Sequence, residues 1–128
     1  MTGPAERHLR VVTGTPPTPA THVDGEACHS RAGLFAEWAA RLSFPEYFGH
    51  NWDALSDCLA DLLDARPLTL VVDDAARLLA DEPPGQLAIL LGILDDRAAG
   101  GRLEVVLHCR PDQEESLRRR LTTATPRA

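Results

Sequence analysis

The feature that most constrains this fold is a pair of short apolar runs separated by a helix-length apolar segment. Leu68 to Val72 follows Pro67 and reads as a buried strand, and Leu103 to Leu107 reads as another. Between them, Gln86 to Ala99 is too long for a strand. It follows the break at Pro83-Pro84 and closes on Gly100-Gly101, a common C-terminal helix signal. A helix between two strands is the crossover of a parallel pair. An earlier strand is expected at Thr21-His22-Val23, ending in the turn-forming Asp24-Gly25. Ser30 is the expected N-cap of a helix with Leu34, Phe35, Trp38 and Leu42 on one face, stopped by Pro45. Asn51 is the expected cap of a second helix, from Trp52 to about Leu63. Asp73 to Ala80 looks helical as well.

The alternation predicts an α/β fold, a small three-stranded parallel sheet packed with about four helices. Residues 1–20, rich in Gly and Pro, are expected to be a flexible leader, although Leu9 to Val12 could add a short strand. Residues 21–109 form the expected domain, and 110–128 a basic, helical tail.

Composition narrows the class of function. The chain has 128 residues and a net charge of −6, which argues against nucleic acid as a direct partner and favours a basic protein. Every basic residue is arginine, which we attribute to codon bias. Acid is concentrated in the body of the chain, with 14 acidic residues against 4 arginines between positions 24 and 96. Cys28, Cys58 and Cys109 form no CxxC pair and no disulfide framework, so a reducing compartment is expected. The opening MTGPAERHLR has no apolar run suited to secretion, and no stretch approaches the ~20 apolar residues that span a bilayer. A cytoplasmic location follows as the expectation.

The chemistry gathers in one segment, residues 51–64. At about 100° per residue, Leu55, Cys58, Leu59, Leu62 and Leu63 fall on one side of a helix. Asp53, Asp57, Asp61 and Asp64 fall on the other. Like charges four apart destabilise a helix by roughly 0.2–0.5 kcal/mol per pair, and no Lys or Arg relieves these. A solvated exterior is one reading of such a stripe, and a binding face is the other. Just before it, Tyr47 and Phe48 stand beside Gly49. Either both rings enter the core or one points outward as an interface anchor.

Residues 44–59, Phe44-Pro45-Glu46-Tyr47-Phe48-Gly49-His50-Asn51-Trp52-Asp53-Ala54-Leu55-Ser56-Asp57-Cys58-Leu59, closely resemble the signature of the barstar family of barnase inhibitors. The similarity runs back without a gap to Asp24-Gly25-Glu26 and continues in pattern to about Leu107. The resemblance implies an inhibitor whose turn and second helix enter a ribonuclease cleft. It implies Asp57 as the central carboxylate replacing the scissile phosphate, with Asp53 as a second anionic contact. It places the Tyr47 ring on the catalytic histidine and gives Gly49 close backbone approach. Asn51, Trp52, Ser56 and Asp61 complete that surface, with one late-helix acid, Asp96 or its neighbour Asp95. Two departures stand out: Ser56 occupies the place of a large aromatic, for which the nearby Trp52 is the expected substitute, and the loop from Asp64 to Pro67 differs in length. Cys58 is expected to pack.

The expected partner is therefore a basic, secreted guanyl-type ribonuclease, bound by a chain that is monomeric when free. An immunity or regulatory protein for a different basic toxin is the alternative. Catalysis is the weaker reading, because the aspartates share one open face and no phosphate loop or nucleophile motif is present. No metal site or cofactor is expected. The adjacent His108 and Cys109 point to opposite sides of a strand, and His22, His29 and His50 read as surface residues.

Overall fold

The computed structural model describes residues 9–124. Positions 1–8 of the expected leader and 125–128 of the expected tail lie outside the described residues. The order is β1 (Leu9–Val12), β2 (Thr21–Asp24), α1 (Arg31–Leu42), α2 (Trp52–Ala65), β3 (Leu68–Asp73), α3 (Pro84–Ala98), β4 (Leu103–His108) and α4 (Glu114–Ala124). All strand pairs are parallel, in the order β1-β4-β3-β2.

Among the described residues the α/β class with a parallel sheet and four helices is as the sequence predicts, but the sheet has four strands where three are expected. The additional strand, β1, pairs with β4 from Leu9 opposite Val105 to Val12 opposite His108. Leu9 and Val11 alternate inward onto the core while Arg10 points out to an ion pair with Glu104. Four residues flanked by prolines give little pattern alone; the unpaired edge of β4 completes the strand.

The expected helix from Asp73 to Ala80 is also corrected. Only a single 3-10 turn forms, Ala75–Arg77, after Asp74 enters the left-handed region at φ 49°. Leu79 is left-handed too, and its N–H donates to the Cys28 carbonyl, so this segment is a shaped loop tied to the start of α1. Helix α3 begins at Pro84, two residues ahead of expectation. A proline in the first turn loses no intrahelical hydrogen bond.

Handedness decides what covers each face. The β2-to-β3 and β3-to-β4 connections step the same way along the sheet, so right-handed crossovers place their helices on one face. There Val23, Leu70, Val72, Val105 and Leu107 pack with Leu34, Trp38, Leu55, Leu59, Leu90 and Leu117 in one cluster. The connection from β1 to β2 steps back across the sheet and so lies on the opposite face. That face carries the fully buried Val71 and Val106 outside the main cluster, and the His108 Nε2 meets the Gly14 carbonyl at 2.8 Å. The proline-rich segment from Thr13 to Ala20 thus straps the second face without a helix.

Helix α4 closes the far side of α3 through Leu117, and Arg120 donates to the carbonyls of Ala76 and Leu78. The half-buried guanidinium is pushed below its ordinary value by desolvation and by Arg77.

Burial pushes the Cys28 thiol up to about 12, with Glu37 and Asp24 adding to the effect. The folded chain therefore keeps a proton that the unfolded chain releases from about pH 9 upward. The predicted outcome is a stability constant with respect to this group below that pH and falling above it, by up to about 1.4 kcal/mol per pH unit. The chain has no lysine, so no side-chain ammonium titrates in the window. Urea unfolding at about pH 8 and about pH 10.5 checks this, with a smaller alkaline drop expected in Cys28→Ala.

Candidate functional site

The segment before α2 is a fold-back over an aromatic floor. Helix α1 ends where Ser43 turns left-handed at φ 57°. The Phe48 N–H donates to the Pro45 carbonyl, making a tight turn at residues 45–48. Phe48 goes inward, 6% exposed, onto Phe44 at 5.1 Å between centroids and onto Phe35 at 6.1 Å. Tyr47, next in line, is thrown outward at 82% exposure. Of the two readings open to these rings, the structure thus shows one in and one out. His50 lies beside Phe48 at 4.9 Å and takes a left-handed backbone at φ 51°, which turns the chain into the α2 cap.

Asn51 then caps α2. Its side chain accepts from the Ala54 N–H at 2.8 Å and donates to the Gly49 carbonyl at 3.2 Å, so one side chain fixes both the helix start and the turn before it. A β-carbon at Gly49 would stand 3.0 Å from that amide, which leaves glycine the easiest fit there.

Helix α2 divides cleanly. Leu55, Leu59 and Leu63 are buried, and Cys58 and Leu62 are part-buried against the core. Asp53, Asp57, Asp61 and Asp64 are all exposed. Burial, then Asp61 and Asp57, pushes the Cys58 thiol up, which keeps it a neutral packing group. Asp53 occupies the first turn, where the helix dipole favours an acid, but no basic residue occupies the last turn beside Asp61 and Asp64. Among the described residues, several acids elsewhere have arginine partners: Glu26 with Arg77, Glu37 with Arg41, Glu104 with Arg10, and Glu114 with Arg118; Glu46, Asp74 and Asp96 do not. None of the ion pairs among the described residues uses an α2 aspartate.

Trp52 is half-buried. Its ring meets Phe35 edge-on at 5.0 Å and its indole N–H donates to Gln86 Oε1 at 3.0 Å, so it joins α2 to α3. Ser56 does the same one turn later, accepting from Arg97 Nε and Nη2 at 3.1 and 3.0 Å. These contacts orient α3. Asp96 is exposed, and at about 100° per residue it lies nearer the α2-facing flank than Asp95 does. Asp95 is part-buried with one carboxylate oxygen enclosed and unpartnered, on the flank away from α2.

Tyr47, Gly49, Asn51, Asp53 and Asp57 are thus exposed parts of one surface, with the part-buried Trp52 and Ser56 beneath it. Asp61 continues it along α2, Asp96 sits beside it across the helix pair, and Asp95 does not join it. The exposed Ile89 of α3 was not singled out from sequence; its neighbours Leu87, Leu90 and Leu91 are core residues, and an apolar run hides which of its members points out. No cluster of three metal-ligating side chains occurs among the described residues, and none of their helices is long and apolar enough to cross a membrane.

A sequence profile of the family described as "Barstar (barnase inhibitor)" matches residues 18–111, which takes in β2 to β4 and the whole surface above. Strand β1 and helix α4 fall outside the match. A curated protein of Bacillus subtilis (strain 168), "Putative ribonuclease inhibitor YrdF", is 42% identical over 50 residues, 39% of this chain and 54% of that protein. The matched segment thus spans about half the length of that relative.

Replacing Asn51 by alanine should cost about 1 kcal/mol of stability through loss of the cap, and should also loosen the 45–50 turn. Urea unfolding reads the first effect, and amide exchange of residues 48–52 reads the second; unchanged exchange would show that the turn holds itself.

Proposed function

The chain belongs to the barstar family, and from that premise we propose that it inhibits a basic guanyl-type ribonuclease by occupying the enzyme's active-site cleft with α2 and the turn before it. One observation carries the reading: four exposed aspartates follow one another on a single helix face with no ion-pair partner among the described residues, although arginine pairs with acids at several other places on the surface. A ribonuclease cleft is cationic because it binds phosphate. A helix already stiffened by its own core presents carboxylates there without the ordering cost of flexible side chains.

In this reading Asp57 replaces the scissile phosphate at the centre of the cleft. Asp53 contacts a second cationic group near the helix start, and Asp61 extends the stripe. The exposed Tyr47 ring lies against the catalytic histidine, a flat amphipathic contact with few torsions to fix. Gly49 lets the backbone come close, and Asn51 holds the turn in shape. Trp52 and Ser56 act from beneath by fixing α2 to α3. We assign the late-helix contact to Asp96, because it is exposed and nearer α2, whereas Asp95 is part-buried on the other flank. The inhibitor acts as a monomer in the cytoplasm of a bacterial cell that makes the ribonuclease, and uses no cofactor. Long-range attraction speeds encounter, and the desolvated Asp–Arg pairs slow release.

The test is inhibition of RNA cleavage by barnase and related basic ribonucleases. The wild-type chain should abolish cleavage at micromolar concentration, and Asp57→Ala should lose affinity by far more than Asp64→Ala while both stay folded. Equal losses would remove the central role from Asp57, and undiminished cleavage would leave a binder of some other basic protein. In stopped flow, raising salt from about 0.05 to about 0.5 M should slow association much more than it speeds dissociation. A salt-independent association rate would contradict steering.

A further inference from the structure

We infer that Gly85, Ile89 and Gly92, on the outward strip of α3 that ends in Asp96, extend the contact surface for the same cationic enzyme, with Ile89 its apolar contact and a determinant of which ribonuclease fits. The inference rests on the reading of α2 given above.

At about 100° per residue these four positions fall together on the side of α3 away from the core. All four are exposed. Ile89, at 42%, and Tyr47 are the large hydrophobic side chains left exposed among the described residues. Tyr47 already belongs to the surface around α2, and Ile89 stands beside that surface without an assigned role.

Gly92 adds to this. It lies in the middle of a helix that alanine would favour, yet a β-carbon there would meet nothing within 4 Å. Internal packing therefore gives no reason for glycine. Bare backbone one turn from an exposed isoleucine leaves room for another protein's surface to approach closely.

The strip is continuous with α2. The Trp52–Gln86 and Ser56–Arg97 hydrogen bonds join the two helices along their facing flanks. Asp53 and Asp57 lie on one side of that seam, and Ile89 and Asp96 on the other. Charge selects the occupant. Carboxylates border the apolar contact, so an anionic membrane or a second copy of this chain would bring like charges together. A cationic cleft rim suits it, because arginine stems can cover Ile89 while their heads reach the carboxylates.

The experiment measures binding of wild type, Ile89→Ser, Gly92→Gln and Asp57→Ala to barnase and other basic guanyl-specific ribonucleases by titration calorimetry, with a thermal melt of each variant. Gly92→Gln should melt at or above wild type, because glutamine is the better helix former. Both α3 variants should nonetheless weaken binding to at least one enzyme by about tenfold or more, unequally across the set. If Asp57→Ala loses affinity while both α3 variants bind every enzyme as wild type does, the α3 assignment is overturned and the α2 reading stands. If Asp57→Ala also binds normally, or no enzyme binds, both readings fall. A dimer in ultracentrifugation that Ile89→Ser abolishes, with ribonuclease affinity unchanged, also overturns it.

Discussion

The burial of Leu55, Leu59 and Leu63 is the interaction on which the rest of the molecule depends. Each fully buried leucine contributes about 1.5–3 kcal/mol. The like-charge contacts among the α2 aspartates cost roughly 0.2–0.5 kcal/mol apiece. The core face of α2 therefore outweighs the repulsion on its outer face several times over, and the helix can keep an acidic surface that it would not hold alone. An anionic stripe on a helix anchored in this way is already rigid before any partner arrives.

The neighbouring elements extend that rigidity to the ends of the stripe. Asn51 ties the first turn of α2 to the loop carrying Tyr47, and the rings of Phe35, Phe44 and Phe48 hold that loop from beneath. Gln86 and Arg97 tie α2 to α3 at two levels. Of the remaining elements, β1 and α4 lie outside the family match. Strand β1 covers the free edge of β4, its proline-rich connection runs over the face that carries Val71 and Val106 and meets His108 there, and α4 covers the outer flank of α3. They enlarge the scaffold and leave the surface around Asp57 open.

Much of this was legible from residue pattern because the relevant signals are local. Ser30 and Asn51 are caps defined by a single side chain, and both close the hydrogen bonds that their positions predict. The two faces of α2 follow from spacing alone. What the pattern left open, as with the strand at Leu9 to Val12, or missed depends on contacts remote in sequence. Strand β1 exists because β4 offers an edge almost a hundred positions away. Asp73 to Ala80 has helical composition but is pulled into a loop by Cys28 and by Arg120. Neither Ile89's exposure nor the difference between Asp95 and Asp96 can be read from α3 by itself, since that helix is apolar on nearly every side and its packing on α2, α4 and the sheet sets its rotation.

The central claim is that the turn at residues 44–51 and the start of α2 enter a ribonuclease cleft. Amide hydrogen exchange of the chain with and without barnase tests it most directly. The account predicts new protection across residues 46–57, with the β1 edge and the outer face of α4 unchanged. Protection confined to β1 or α4, or no change at any amide in the presence of saturating enzyme, would contradict it.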